Sequence, residues 1–125
     1  MLFDTDILIW CLRGNKAAQA IVYLNQHRFI SAITHMEVTR GLKNKSESFH
    51  WKSLLSEFNI QIIPINESIS AKAMYWMEEF TLSHGLSIPD ALIGATADTH
   101  SLILTTSNTK DFKFLPSIIL NPFKL

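Results

Sequence analysis

Apolar residues along the chain fall into short runs, and between the runs they recur at helical spacing. Residues 1–4, MLFD, read as a short buried strand, and 6–12 as a helix that stops near Gly14. Ala17, Ile21 and Leu24 share one face of a helix over 16–26. FISAI, 29–33, reads as a strand and THMEVTRGL, 34–42, as a helix ending near Gly41. Trp51, Leu54, Leu55 and Phe58 mark a short amphipathic helix. IQIIPI, 60–65, is a further strand whose end is weakened by Pro64, since proline cannot donate to a ladder. Ile69, Ala73, Trp76, Met77 and Phe80 trace the stripe of a longer helix closing at Gly85. PDALIGATADTH, 89–100, reads as another helix, SLILTT, 101–106, as a strand, and SIIL, 117–120, as a fifth strand.

Strands alternating with helices need crossover connections, and these produce parallel pairing with helices on both sheet faces. The expected fold is therefore a three-layer α/β/α domain with a small, mostly parallel central sheet, as one unit over residues 1–125. In such sheets ligands bind beyond the carboxyl ends of the strands.

That rule gives meaning to the acids. An ionised carboxylate beside a buried strand costs several kcal/mol or more unless a cation or good donors compensate it. Asp4 follows the first strand directly, Glu37 comes one helical turn after FISAI, and Asp111 lies in the loop after SLILTT. Asp90 opens the helix before SLILTT and reaches the same edge if that helix packs across it. Carboxylates gathered at one point either rise in pKa or admit a divalent cation. Hard oxygen donors without cysteine or histidine spacing select Mg²⁺ or Mn²⁺ over zinc, and such an ion suits phosphodiester hydrolysis.

Each acid also has a structural reading. Thr34 with Glu37 and Ser87 with Asp90 both match a capping box, Asp6 reads as the N-cap of the helix it precedes, and Asp111 fits a turn. Asp4 is the hardest to explain as a cap. Thr5 and Ser31 flank the acids and either hydrogen-bond them or satisfy strand-end backbone.

Composition limits the field. The chain has 125 residues, 47% apolar and 18% charged, as in an ordinary globular domain. Its apolar runs are far short of the ~20 residues that cross a bilayer, and no basic segment precedes the first one. No membrane association is expected. The single Cys11 forms no intrachain disulfide and suits a reducing cytoplasm. Formal charge is zero, with 11 basic and 11 acidic residues, which argues against a general nucleic-acid-coating protein. If Asp4, Asp6, Glu37, Asp90 and Asp111 were screened by metal, the rest of the surface would be mildly basic. Arg13, Arg40, Lys43, Lys45 and Lys110 are then candidate phosphate contacts, though scattered surface bases are commonly just solvated. The five histidines show no ligand spacing, and Trp10, Trp51, Trp76 and Met77 sit at core-like helical positions. Phosphate-loop, dinucleotide and serine-hydrolase motifs are absent.

Four blocks carry a resemblance. FDTDILIWCLRGN resembles the opening of PIN-domain nucleases, in particular VapC-type toxins of toxin–antitoxin pairs, and ISAITHMEVTRG, IPDALIGATA and ILTTSNTKDF are similar to their second, third and fourth motifs. The blocks come in the family's order over nearly the whole chain. The resemblance implies a Mg²⁺-dependent endoribonuclease, with Mn²⁺ able to substitute. It carries over Asp4, Glu37 and Asp90 as metal-binding and catalytic acids. The fourth block departs from the pattern: where many members have an acid, this chain has Thr106, Ser107 and Asn108, and the next acid is Asp111. Asp111 is thus a candidate catalytic acid, with Asp6, Thr5, Asn108 and Thr106 in support. The resemblance also implies a cognate antitoxin, a homodimer and an RNA substrate, tRNA or rRNA. The competing readings are a PIN nuclease outside any toxin pair, acting on RNA or DNA, and a non-catalytic metal-binding RNA-interaction domain.

Overall fold

The computed structural model describes residues 1–124. Five strands, β1 (Leu2–Phe3), β2 (Phe29–Ser31), β3 (Gln61–Ile63), β4 (Leu104–Thr106) and β5 (Leu120–Pro122), form one sheet in the order β3-β2-β1-β4-β5. Every pairing is parallel. Six helices connect them: α1 (Thr5–Leu12), α2 (Lys16–Leu24), α3 (Ala32–Gly41), α4 (Lys45–Glu57), α5 (Glu67–His84) and α6 (Ile88–Thr99). No helix is long and apolar enough to cross a membrane among the described residues.

Successive strand side chains point to opposite faces, and β1 uses both. Leu2 enters a core with Trp76, Ile93, Leu104 and Phe112, under α5 and α6. Phe3 enters the other, with Ile7, Val22, Ile30 and Trp51, under α1, α2 and α4. These two cores on either side of the sheet make the three layers expected from the alternation of elements. Trp51 and Trp76 are buried, so they belong to the cores. α6 packs so closely that a Cβ on Gly94 would stand 2.9 Å from Leu115 and 3.4 Å from Trp76.

Several boundaries differ from the sequence reading. The strand expected over 101–106 begins only at Leu104, because Ser101 turns the chain at φ 53° after α6. The fifth strand forms at Leu120–Pro122 rather than 117–120; Ser117 adopts φ 65°, and pairing starts where Leu120 faces Leu104. The strand expected over 60–65 is trimmed to Gln61–Ile63, and Pro64 stands just outside the ladder. The helix around Trp51 begins earlier than its apolar residues suggest, because Asn44 caps it by accepting from Glu47 N–H at 2.9 Å.

One basic residue serves the fold. Arg28 donates to the carbonyls of Val22 (2.6 Å), Tyr23 (2.7 Å) and Phe58 (2.6 Å), tying the carboxyl ends of α2 and α4 together.

Candidate metal centre

Because the sheet is all parallel, β1, β2 and β4 deliver their carboxyl ends to one edge. Asp4 leaves β1 there. It is 6% exposed, and its Oδ1 accepts from Thr5 N–H at 2.8 Å, which makes it the N-cap of α1. The N-cap of α1 expected at Asp6 is therefore Asp4, because the helix begins at Thr5 directly after β1. Its other oxygen, Oδ2, accepts from the Thr106 hydroxyl at 2.7 Å. Thr106 in turn accepts from Asn108 N–H at 3.0 Å.

Asp6 sits in the first turn of α1. Its Oδ1 accepts from Ile7 N–H at 2.8 Å and its Oδ2 from Ser107 N–H at 2.9 Å, with the Ser107 hydroxyl and Asn108 Nδ2 (3.3 Å) on the same oxygen. Asp6 therefore fastens α1 to the loop after β4. Asn108 is a donor to that carboxylate. Ser107, which completes the clip, was not singled out from the sequence; its place in the polar run TTSN after a strand was the available signal.

Glu37 lies in the second turn of α3. Ser31 Oγ, accepting from Ile33 N–H at 3.0 Å, caps that helix, so the Thr34–Glu37 capping box does not form and Ser31 serves backbone rather than an acid. A helix that starts at Ala32 instead of Thr34 moves Glu37 off the cap and frees its side chain. The Thr5 hydroxyl donates to Glu37 Oε1 at 2.6 Å and lies 3.0 Å from the Thr34 hydroxyl. Asp90 is in the first turn of α6, whose N-cap is Ser87, accepting from Asp90 N–H at 3.2 Å. Asp111 ends a single 3₁₀ turn, Thr109–Asp111.

Electrostatics show which acids feel one another. Burial, then the charge of Asp6, pushes Asp4 up to about 7, although bonds from Thr106 and Thr5 oppose the shift and Asp90 adds to it. Burial pushes Asp90 up to about 6; the Ser87 side chain opposes this, and the charges of Asp111, Glu37 and Asp6 reinforce it. The charges of Asp6, Glu37 and Asp111 are thus felt at Asp90, and those of Asp6 and Asp90 at Asp4. Among the described residues the one ion pair is Lys72–Asp98, so none of these acids has a protein cation as partner. Nor do three of their carboxylates stand close enough, among the described residues, to enclose an ion as they are. The donor set fits a hard divalent cation: carboxylate oxygens, two of them desolvated and all of them without a protein countercharge.

Comparison with known proteins agrees with the fold. The PIN domain profile matches residues 1–115. Ribonuclease VapC10 of Mycobacterium tuberculosis is 33% identical over 116 residues, covering 90% of this chain and 85% of the relative. Toxin FitB of Neisseria gonorrhoeae is 27% identical and covers 98% of each chain. A toxin–antitoxin complex from Klebsiella pneumoniae superposes with a TM-score of 0.76 at 35% identity, over 99% of this chain and 98% of that one. Order of motifs, sheet topology and sequence similarity agree, and the chain belongs to the PIN domain family, where VapC-type toxins are among its relatives.

Proposed function

We propose that this chain is a Mg²⁺-dependent endoribonuclease, Mn²⁺ substituting, that serves as the toxin of a toxin–antitoxin pair and hydrolyses structured RNA, tRNA or rRNA. The observation that supports the reading most is the acidic set without a protein countercharge, Asp4 and Asp90 with Glu37, at the carboxyl edge of the sheet. Related proteins bear the names ribonuclease and toxin, and a structural relative is a toxin–antitoxin complex. A cognate antitoxin and a homodimer are part of the same reading, as is work in the cytoplasm.

Asp4 and Asp90 would hold the principal ion, with Glu37 directly or through water. A Mg²⁺ ion held there would supply positive charge beside the phosphate and Lewis acidity toward a water. The protein's own groups do the rest. Thr106 fixes the Asp4 carboxylate, Thr5 fixes Glu37, and Asp6 holds the β4 loop against α1. A carboxylate of the set accepts the water proton. Attack by water with the 3′ oxygen as the leaving group, which takes up a proton, leaves a 5′-phosphate and a 3′-hydroxyl.

The test is cleavage of total tRNA and rRNA in Mg²⁺, in Mn²⁺ and in EDTA, with mapping of the new ends. Divalent-dependent cutting that disappears in Asp4→Asn and Asp90→Asn, with the fold intact, is the expected result. Wild-type rates in Asp90→Asn would overturn the assignment. Because no three of the carboxylates enclose an ion as they stand, a non-catalytic metal-binding RNA-interaction domain is the second reading. It predicts RNA binding without any cut. A PIN nuclease outside a toxin pair predicts cutting without a neighbouring antitoxin gene.

A further inference from the structure

Thr34, the third residue of α3, is fully buried, and its hydroxyl does not bond as those of two other helical threonines do. Thr81 and Thr96 donate to the carbonyls of Met77 and Leu92, four residues back in their own helices. The carbonyl four residues before Thr34 belongs to Ile30, which lies in β2, because Ser31 caps α3 and starts it at Ala32. The Thr34 hydroxyl instead meets that of Thr5, in α1, at 3.0 Å, and this is its one hydrogen-bond partner among the described residues.

Counting protons gives the direction of that bond. Thr5 has a single hydroxyl proton and two oxygens in reach, Thr34 Oγ1 at 3.0 Å and Glu37 Oε1 at 2.6 Å. An ionised carboxylate only accepts, and the shorter contact falls in the ~2.5–2.7 Å range of an O–H···O⁻ bond. Thr5 therefore gives its proton to Glu37, and the Thr34 hydroxyl donates to Thr5. Thr5 also serves Asp4 through its backbone N–H, at 2.8 Å, so one residue faces two of the acids. Glu37 Oε2 accepts nothing among the described residues.

We propose that Thr34 is a positioning residue for Glu37. Its hydroxyl pins the Thr5 side chain in the rotamer that donates to Oε1, which leaves Oε2 as the Glu37 oxygen presented to a divalent cation. The inference rests on the reading of Glu37 as a metal-binding acid given above, and it adds a residue outside the acidic set that aims it. Two effects act together. A hydroxyl that accepts one hydrogen bond is a stronger donor in the next, and a β-branched side chain held at its oxygen has a single χ1 setting left to it. A threonine present only to satisfy its own buried hydroxyl would affect stability and leave the cation untouched.

The test is calorimetric titration of the metal-free full chain with MgCl₂, beside thermal melts in EDTA. It compares the wild type, Thr34→Val, Thr34→Ser, Glu37→Gln and Thr34→Val combined with Glu37→Gln. Thr34→Val keeps the branched shape and should weaken Mg²⁺ binding about two- to tenfold, the scale of one net hydrogen bond. Thr34→Ser keeps the hydroxyl and should bring affinity back to within about twofold of the wild type. In the Glu37→Gln background, Thr34→Val should change affinity by less than about twofold, because the acid through which it acts is gone. Thr34→Ala serves in the same cycle if the valine variant does not fold. Wild-type Mg²⁺ affinity in the folded Thr34→Val protein would overturn the proposal. So would an equal loss in both backgrounds, or a loss that Thr34→Ser does not restore, since each describes packing alone. Cleavage of total tRNA and rRNA is scored separately. Affinities that follow the expected pattern in a chain that cuts no RNA keep the role of Thr34 and remove the nuclease. RNA cutting with a wild-type Mg²⁺ requirement in Thr34→Val does the reverse, and a wild type that neither binds Mg²⁺ nor cuts RNA overturns both.

Discussion

The Thr106 hydroxyl donates to Asp4 Oδ2 at 2.7 Å, joining two residues 102 positions apart across neighbouring parallel strands. Thr106 is fully buried and also accepts Asn108 N–H, so one side chain both orients the most buried acid and holds the loop beyond it. Thr106→Val keeps the shape and removes both bonds. It should cost about 1–3 kcal/mol in stability, the cost of leaving buried polar groups unpaired. It should also push Asp4 further up, since the Thr106 bond now opposes that shift. Mg²⁺ affinity at neutral pH is then expected to fall several-fold, with the deficit shrinking as pH rises and Asp4 ionises. Calorimetric titrations at two pH values check this, and Thr106→Ser should restore most of the loss. A deficit that stayed constant with pH would show that the hydroxyl acts on packing alone.

Asp4 gives the metal-free protein a defined pH dependence. Its folded pKa, about 7, lies above its ordinary value of 3.8, so the folded state holds a proton that the unfolded chain releases. The associated stability is complete below about pH 4, declines as pH rises, and is lost once pH passes about 7. Asp90, raised to about 6, adds a smaller effect of the same sign. In EDTA, Asp4→Asn should therefore be more stable than wild type at pH 8, by up to roughly 4 kcal/mol if the whole shift is expressed. The two proteins should converge near pH 4. Excess Mg²⁺ should reverse the order at pH 8 by stabilising only the wild type, and its binding near pH 6.5 should release protons. Thermal melts in paired buffers, and titrations in buffers of different ionisation enthalpy, measure both. Equal midpoints at pH 8 in EDTA would mean that Asp4 is not the buried charge described.

Much of this was legible in the chain because it depends on periodicity. Alternating runs gave the layers, and parallel strands placed Asp4, Glu37 and the loop after β4 at one edge. Capping was harder to read, because the helix starts depended on competition between adjacent side chains. Asp4 and Asp6 both qualify as N-caps; the chain leaves β1 so that Asp4 takes the cap and Asp6 is free to reach Ser107. Ser31 and Thr34 compete in the same way, and Ser31 wins because the helix begins straight after β2. Long-range contacts were out of reach. Nothing in the local sequence says that Asp6 meets residues 107 and 108, or that Arg28 spans from α2 to α4.

The position of Asn108 offers a direct experiment on the departure from the family pattern. Its amide donates weakly to Asp6 Oδ2 at 3.3 Å, where an acid would instead face another acid. Asn108→Asp exchanges a donor for a like charge, and that charge joins a group already raising Asp4 and Asp90. In EDTA at neutral pH the variant should lose about 1 kcal/mol, the scale of an ordinary hydrogen bond, since this one is long and exposed to solvent. With Mg²⁺ present the same charge becomes an attraction, so the affinity for the ion should rise several-fold and the stability difference should close. Side-by-side Mg²⁺ titrations and melts decide it. If affinity fell instead, the clip from Asp6 to the β4 loop would matter more to the site than its total charge, and Asn108 would be present to keep that loop in place.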